Sequence, residues 1–218
     1  MAELRANGPY VWITWLTRLL VGEASCEWAA WFQAQHESWS WSKVPSSFDH
    51  VGWQLAHTAK LNTVHAELEA EGLTVSLERQ NAFTLKGRAI AIGGKPDLIA
   101  RSTEGAIVLD VKTGKPSASH AVQVMAYMYA VPRALPEYRG LPLDGRLVYT
   151  DHEVEIPASA IDSVFVDSLT SLLRRLGAAD PARKVPSTAE CGFCPITQSD
   201  CPERRVHQED VPGETEDF

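Results

Sequence analysis

Two aspartates and a lysine stand where they could act together on one substrate group. Asp110 and Lys112 lie in AIVLDVKTG, a segment whose alternating apolar residues predict a β-strand. Because side chains alternate between the two faces of a strand, Asp110 and Lys112 share the face opposite Leu109 and Val111. Asp97 lies on the preceding predicted strand, and a hairpin through STEG would bring it beside Asp110. Burying these charges costs free energy unless they pair or bind a metal.

Such a set of side chains indicates metal-dependent chemistry on a phosphate. Carboxylate oxygens are suitable ligands for Mg²⁺ and Mn²⁺. A bound metal polarises a phosphoryl oxygen and lowers the pKa of a bound water. The lysine can orient that water or offset the charge that develops on the phosphate. The alternative interpretation is an ion pair that closes a sheet edge, because structural ion pairs are common.

These residues carry a resemblance to a known family. Pro96-Asp97, followed by Asp110-Val111-Lys112, resembles the motif of the PD-(D/E)XK nuclease superfamily. Gln123 and Tyr127 lie one turn apart on the next predicted helix and resemble the Q-x3-Y motif of its RecB-like branch. The resemblance spans about residues 20–205.

The resemblance implies a role for each of these positions. Asp97 and Asp110 would bind Mg²⁺ or Mn²⁺, with the backbone carbonyl of Val111 as a further ligand. Lys112 would assist the attacking water. The remaining catalytic residues implied by the motifs, which would face the active site and the nucleic acid, are Gln123 and Tyr127.

A histidine on an upstream helix also binds the metal in the RecB-like branch. His57 begins a stripe with Leu61, Val64 and Leu68 on a predicted helix, so it faces inward. We therefore predict His57 as the metal ligand and keep His65, beside the same stripe, as the alternative. Glu78 could add a carboxylate, although a solvated charge is the simpler interpretation.

Four cysteines indicate a second metal centre. Cys191, Cys194 and Cys201 form C-x2-C-x6-C, and Cys26 stands alone near the start. In a cytosolic protein this spacing indicates metal ligation before disulfides. Spacing alone does not separate zinc, with His207 as a fourth ligand, from an iron–sulfur cluster.

One early and three late cysteines resemble the iron–sulfur nucleases of this superfamily. These include the CRISPR-associated RecB-like exonucleases and the AddB-type recombination subunits. The resemblance implies a 4Fe-4S cluster bound by Cys26, Cys191, Cys194 and Cys201. Such a cluster would join the N-terminal helices to the C-terminal segment.

Periodicity predicts helices, then a group of strands, then helices against them. The predicted helices are residues 10–20, 24–35, 48–70, 117–130 and 157–177, and the predicted strands are 73–80, 82–92, 93–102, 106–114, 146–151 and 152–157. This order predicts an α/β (α+β) fold. With the resemblance, it predicts a restriction-endonuclease-like core in which helices flank a central mixed sheet.

Length and charge set the remaining limits. The chain has 218 residues and a net charge of −8, of which the last eleven residues carry five acids. We predict one nuclease domain over 1–205, comprising a Trp-rich helical part (1–50), the core (51–180) and the cysteine segment (185–205), followed by an acidic disordered tail (206–218). No apolar run is long enough to span a membrane, and the N-terminus is a poor secretory signal, so we expect a cytoplasmic protein.

The expected function is a metal-dependent exonuclease that acts on single-stranded or frayed DNA ends, in repair, recombination or CRISPR adaptation. A non-catalytic DNA-binding or assembly module of the same fold, within a complex of other proteins, is the alternative, and a zinc-stapled enzyme of another kind is the third. The tryptophans could stack on unpaired bases. Trp39 and Trp41, in a polar stretch, are the candidates for that role.

Overall fold

The first elements precede the main sheet and form the N-terminal third of the chain. A computed structural model describes residues 2–205, so the predicted tail and His207 lie outside the described part. The N-terminal elements are β1 (Tyr10–Trp12), α1 (Ile13–Leu20), α2 (Glu27–Gln35) and α3 (His50–Ala70). Asp49 caps α3 by accepting a hydrogen bond from the Gly52 amide.

Seven further strands and three further α-helices follow along the described chain. The strands are β2 (Thr74–Leu77), β3 (Phe83–Lys86), β4 (Ala91–Gly94), β5 (Leu98–Arg101), β6 (Ala106–Val111), β7 (Leu143–Val148) and β8 (Glu153–Ile156). The helices are α4 (Ala118–Ala134), α5 (Ser163–Leu176) and α6 (Thr188–Gly192).

The main sheet is mixed, in the order β2-β5-β6-β7-β8. Only the β6–β7 pair is parallel within it, and α4 makes the connection between these two strands. A smaller sheet has the order β1-β4-β3. Helices flank the central mixed sheet, which confirms the predicted fold class.

The two faces of β6 pack against different helices. Leu109 and Val111 belong to an apolar cluster with Leu61 of α3, whereas Val108 belongs to the larger cluster that contains Val124 of α4. The predicted alternation along β6 is therefore correct. It sets Asp110 on the α4 side of the sheet, at the end where α3 and α4 both come close to it.

Several predicted boundaries are wrong, and the reasons are identifiable at three places. Residues 10–12 form β1 instead of the first helical turn, because they pair in parallel with β4. The predicted strand 82–92 is two strands, β3 and β4, and Gly93 and Gly94 belong to β4 instead of beginning the next strand; a Cβ at Gly94 would collide with Phe83. Pro157 precedes a separate 3-10 turn, because Asp162 accepts a hydrogen bond from Phe165 and begins α5 at Ser163.

No helix within residues 2–205 is long and apolar enough to cross a membrane.

Candidate active site

Strand register brings the two aspartates together. Leu98 pairs with Leu109 in the antiparallel β5–β6 hairpin, so Asp97, one residue before β5, lies beside Asp110. The amide of Val111 donates a hydrogen bond of 2.8 Å to Asp97 Oδ2. The hairpin thus fixes one carboxylate through the backbone of the strand that carries the other.

His57, on α3, approaches the two aspartates from the face of the sheet opposite α4. Its Nε2 lies 3.2 Å from Asp97 Oδ2. The hydrogen bond to Asp97 raises the pKa of His57 above its usual value, against the opposing effect of burial. His65, the alternative, lies two turns further along and contacts Glu69 at 3.6 Å. The structure therefore brings His57, and not His65, to the aspartates.

Lys112 and Gln123 connect Asp110 to α4. Lys112 Nζ lies 2.6 Å from Asp110 Oδ2 and donates to Gln123 Oε1 at 3.1 Å. Gln123 Nε2 donates to Asp110 Oδ1 at 2.8 Å and to the Tyr127 hydroxyl at 3.2 Å. Both ends of the Gln123 amide are thus used. The five predicted catalytic residues form one connected set, in which Asp97 is joined to the others through the Val111 amide.

Burial dominates the electrostatics of this set. The Asp110 side chain is 3% exposed. Burial, together with the nearby charge of Asp97, raises the pKa of Asp110 to about 6, although Lys112 opposes the shift. Burial and the charge of Asp110 also raise the pKa of Tyr127 well above its usual value.

The donor set fits a hard divalent cation. Asp110 Oδ2 is buried and has no hydrogen-bond partner of regular geometry, although Lys112 Nζ lies 2.6 Å from it. Carboxylates with one imidazole suit Mg²⁺ or Mn²⁺. No three His, Cys, Asp or Glu side chains in residues 2–205 are already arranged to hold an ion. If a metal binds, the His57–Asp97 and Lys112–Asp110 contacts would therefore break, and His57 and the two aspartates would coordinate the metal instead.

A cavity of about 660 Å³ surrounds these groups and includes residues that sequence analysis missed. Trp53, 45% exposed, stacks on His57 with ring centroids 5.0 Å apart. It lies one turn before His57, a spacing that could have signalled it. The other missed lining residues are Thr14, Phe48, Lys95, Thr113, Gly114, Lys115 and His120.

The structure also gives the positions of Val111, Trp39, Trp41 and Glu78, whose proposed roles in metal or nucleic acid binding were less specific. Val111 lines the cavity, but Trp39 and Trp41 do not. Trp41 is 9% exposed and packs edge-on against Phe32, because the polar loop folds back on α2. Glu78 lies 3.8 Å from Lys95 and is half exposed, so the solvated interpretation of its charge is the better one.

The four cysteines line one separate cavity of about 350 Å³. The amide of Val185 donates to Cys26 Sγ at 3.4 Å, although the two residues are 159 positions apart. The amide of Arg205 donates to Cys191 Sγ at 3.3 Å. Free thiols from both ends of the described chain therefore meet in a cavity where backbone amides already point at the sulfurs.

Arg204 and Glu190 hold the backbone around this cavity. Arg204 donates to the carbonyl oxygens of Cys191, Cys194 and Ile196 at 2.7–2.8 Å. Glu190 accepts from the amide of Cys26 at 3.3 Å. Burial raises the pKa of the Cys194 and Cys201 thiols. The four cysteines share this cavity, but no three His, Cys, Asp or Glu side chains of residues 2–205 converge closely enough to hold an ion.

We expect Asp110→Asn to stabilise the metal-free protein. The pKa of Asp110 is about 6 in the folded protein and about 4 in the unfolded chain, so the ionised carboxylate lowers the free energy of unfolding above a pH of about 6. This loss of stability disappears as the pH falls towards about 4. The gain should be about 1–2 kcal/mol at pH 8, since the unpaired Lys112 offsets part of it. Thermal unfolding in EDTA at pH 8 and pH 4.5 measures it. Lys112→Ala should show no such gain, and an equal loss in both variants would contradict the explanation.

Comparisons with known proteins come from sequence and from structure. A sequence profile of the PD-(D/E)XK nuclease superfamily matches residues 14–202. A solved structure described as "Crystal structure of SSO0001" is similar with 15% identity and a TM-score of 0.48, and the match covers 91% of this chain and 88% of that one. No curated protein matches the chain.

Proposed function

The chain belongs to the PD-(D/E)XK nuclease superfamily, and from this premise we propose that it is a metal-dependent exonuclease of the RecB-like branch. The observation that carries the proposal is the connected set of Asp97, Asp110, Lys112 and Gln123. A buried aspartate with a raised pKa that lines a cavity beside a lysine is typical of an active site, and it favours an enzyme over a non-catalytic module.

Each side chain has a proposed role in phosphodiester hydrolysis. Asp97, Asp110 and His57 would hold the metal together with the carbonyl of Val111. When bound, the metal would polarise the phosphate and lower the pKa of a bound water. Lys112 is close enough to Asp110 to orient the attacking water beside it or to offset charge on the phosphate. Gln123 holds Lys112 and Asp110 in place from α4.

We further propose that the cysteine cavity binds a 4Fe-4S cluster through Cys26, Cys191, Cys194 and Cys201. Two amide-to-sulfur hydrogen bonds and the nearby Arg204 would offset the negative charge of the thiolates. The cluster would be structural, because it joins α2 and the C-terminal segment at a cavity separate from the one that Asp110 lines. The proposed single nuclease domain over 1–205 is supported by one apolar cluster that includes residues of α1, α2, α4 and α5.

The aromatic side chains at the cavity entrance favour a single-stranded substrate. Trp53 and Phe48 are both about half exposed, and their rings lie 6.3 Å apart beside His57. Unpaired bases stack on such rings, whereas paired bases present only their edges. Lys95, Lys112 and Lys115 line the same cavity and supply positive charge for the phosphates. Single-stranded or frayed DNA ends are thus the proposed substrate.

Trp53→Ala should weaken binding of single-stranded DNA by roughly 5- to 150-fold, because one stacked base is worth about 1–3 kcal/mol. Binding of a blunt duplex of equal length should change less. Fluorescence anisotropy without metal measures both. Trp53→Phe should restore part of the affinity, and Trp39→Ala, which removes a 70% exposed ring elsewhere, is the matched control. Equal losses in the Trp39 and Trp53 variants would contradict the stacking role.

The proposed activity is tested with end-labelled single-stranded and duplex DNA in Mg²⁺, Mn²⁺ or EDTA. We expect cleavage in both metals, faster in Mn²⁺ because Mn²⁺ accepts imidazole more readily, and none in EDTA. Full cleavage in EDTA would contradict hydrolysis by a metal-activated water. Binding without cleavage in every metal would favour the non-catalytic module, whose place would be in a recombination or CRISPR adaptation complex.

A further inference from the structure

A third cavity, separate from the active-site and cysteine cavities, carries positive charge that the proposed active site does not use. It measures about 370 Å³ and lies between the β3–β4 hairpin, α4 and α5. Four exposed cations surround it, and we name them the basic groove: Lys86, Arg88, Arg133 and Arg174. The apolar floor includes Leu85, Ile92 and Leu173.

The charge of the basic groove is not balanced locally. No Asp or Glu lines this cavity, and none of its four cations forms an ion pair with any acidic side chain in residues 2–205. The whole chain, in contrast, has 28 acidic and 20 basic residues. Unpaired cations gathered on one surface of an acidic protein indicate an anionic partner.

One cation of the basic groove, Arg133, is held in place by the aromatic residue Tyr129. The Arg133 guanidinium lies 3.9 Å from the centroid of the half-buried Tyr129 ring and donates to the Tyr129 carbonyl at 2.6 Å. This hydrogen bond holds the arginine beside the ring, so that its remaining donors stay free for a phosphate.

The basic groove shares its elements with the candidate active site. Arg133 lies ten residues after Gln123 on α4, which is about 15 Å along the helix at 1.5 Å per residue. The hairpin that carries Arg88 continues through β4 to Lys95 and Asp97. A stacked strand advances about 3.4 Å per nucleotide, so roughly four nucleotides separate the two places.

We propose that the basic groove binds the phosphate backbone of the nucleic acid strand whose end lies in the candidate active site, an inference that rests on the proposed function. The groove would hold phosphates about four or more nucleotides from the scissile bond. It contributes affinity and length preference without base recognition, because phosphate contacts carry no sequence information.

The test is the affinity of Arg88→Gln/Arg133→Gln for single-stranded oligonucleotides of about 4 to 20 nucleotides, in EDTA. Wild-type affinity should rise once the oligonucleotide is long enough to reach the groove. The double variant should lose that rise, on the order of tenfold, and its salt dependence should be shallower by about 1.4, or 0.7 per lost phosphate contact.

Arg101→Gln/Arg139→Gln is the matched control. This double variant removes the same charge from two exposed arginines. Arg101 ends β5, and Arg139 lies just before β7, which pairs with the start of β6, so both are at the end of the sheet that is remote from Asp97. Equal affinity losses in the two double variants would overturn the proposal, as would preferential binding of an acidic peptide that the groove variant loses. Because binding is measured in EDTA, it is independent of cleavage. Groove-dependent binding in EDTA, together with no cleavage after Mg²⁺ or Mn²⁺ is added, would overturn the proposed function alone.

Discussion

Lys112→Ala is expected to lower the cleavage rate by on the order of 10²–10³-fold while the fold persists. Lys112 makes a 2.6 Å ion pair with Asp110 and a hydrogen bond with Gln123, and no other Lys or Arg in residues 2–205 pairs with Asp110. Asp110→Asn should abolish cleavage as well, because it weakens a metal ligand. Single-turnover cleavage of end-labelled DNA in Mn²⁺ measures both rates.

Two controls make this result specific to the site. Lys60→Ala removes the same charge from α3, outside the cavity that contains Asp110, and should leave the rate unchanged. Circular dichroism and thermal unfolding confirm that each variant is folded. A wild-type rate in Lys112→Ala or Asp110→Asn would exclude the proposed catalytic set.

Cys26→Ser should destabilise the protein as strongly as Cys194→Ser and remove its colour. The two cysteines are 168 positions apart in sequence, yet both line one cavity. If one cluster binds both, then loss of either thiolate frees α2 from the C-terminal segment, because cluster binding contributes directly to folding. Iron and sulfide content, absorption near ~400 nm and the melting temperature are the measurements.

The cysteine variants also separate a cluster from zinc. Cys26→Ser with full iron and sulfide, together with a loss in His207→Ala, would contradict ligation by Cys26. A colourless wild-type protein with one zinc would contradict the iron–sulfur cluster itself and leave the proposed catalytic set untouched, because Asp110 and the cysteines line different cavities.

The parts of the site that were predictable from sequence depend on short-range regularity. Alternation along β6 predicted that Asp110 faces away from Leu109, and the short STEG turn predicted that Asp97 lies beside it. The helical stripe predicted that His57 faces inward. These relations involve a single element or one hairpin, where periodicity and turn length determine the geometry.

The parts that were not predictable depend on contacts between distant segments. β1 forms because β4, some eighty residues later, supplies a parallel partner for Tyr10–Trp12. Trp41 is buried because its loop returns to α2, where the ring packs against Phe32. Local propensity contains no information on such pairings, which the tertiary fold determines.

Every proposed role in the candidate active site depends on a divalent metal held by Asp97 and Asp110. The most direct measurement is a titration of purified protein with Mn²⁺, followed by the electron paramagnetic resonance signal of the free ion. We predict that wild-type protein and Lys112→Ala both bind Mn²⁺ and that Asp110→Asn loses this binding, because Asp110 donates a ligand atom and Lys112 does not. Undiminished binding by Asp110→Asn, or no binding by wild-type protein, would contradict the proposed metal site.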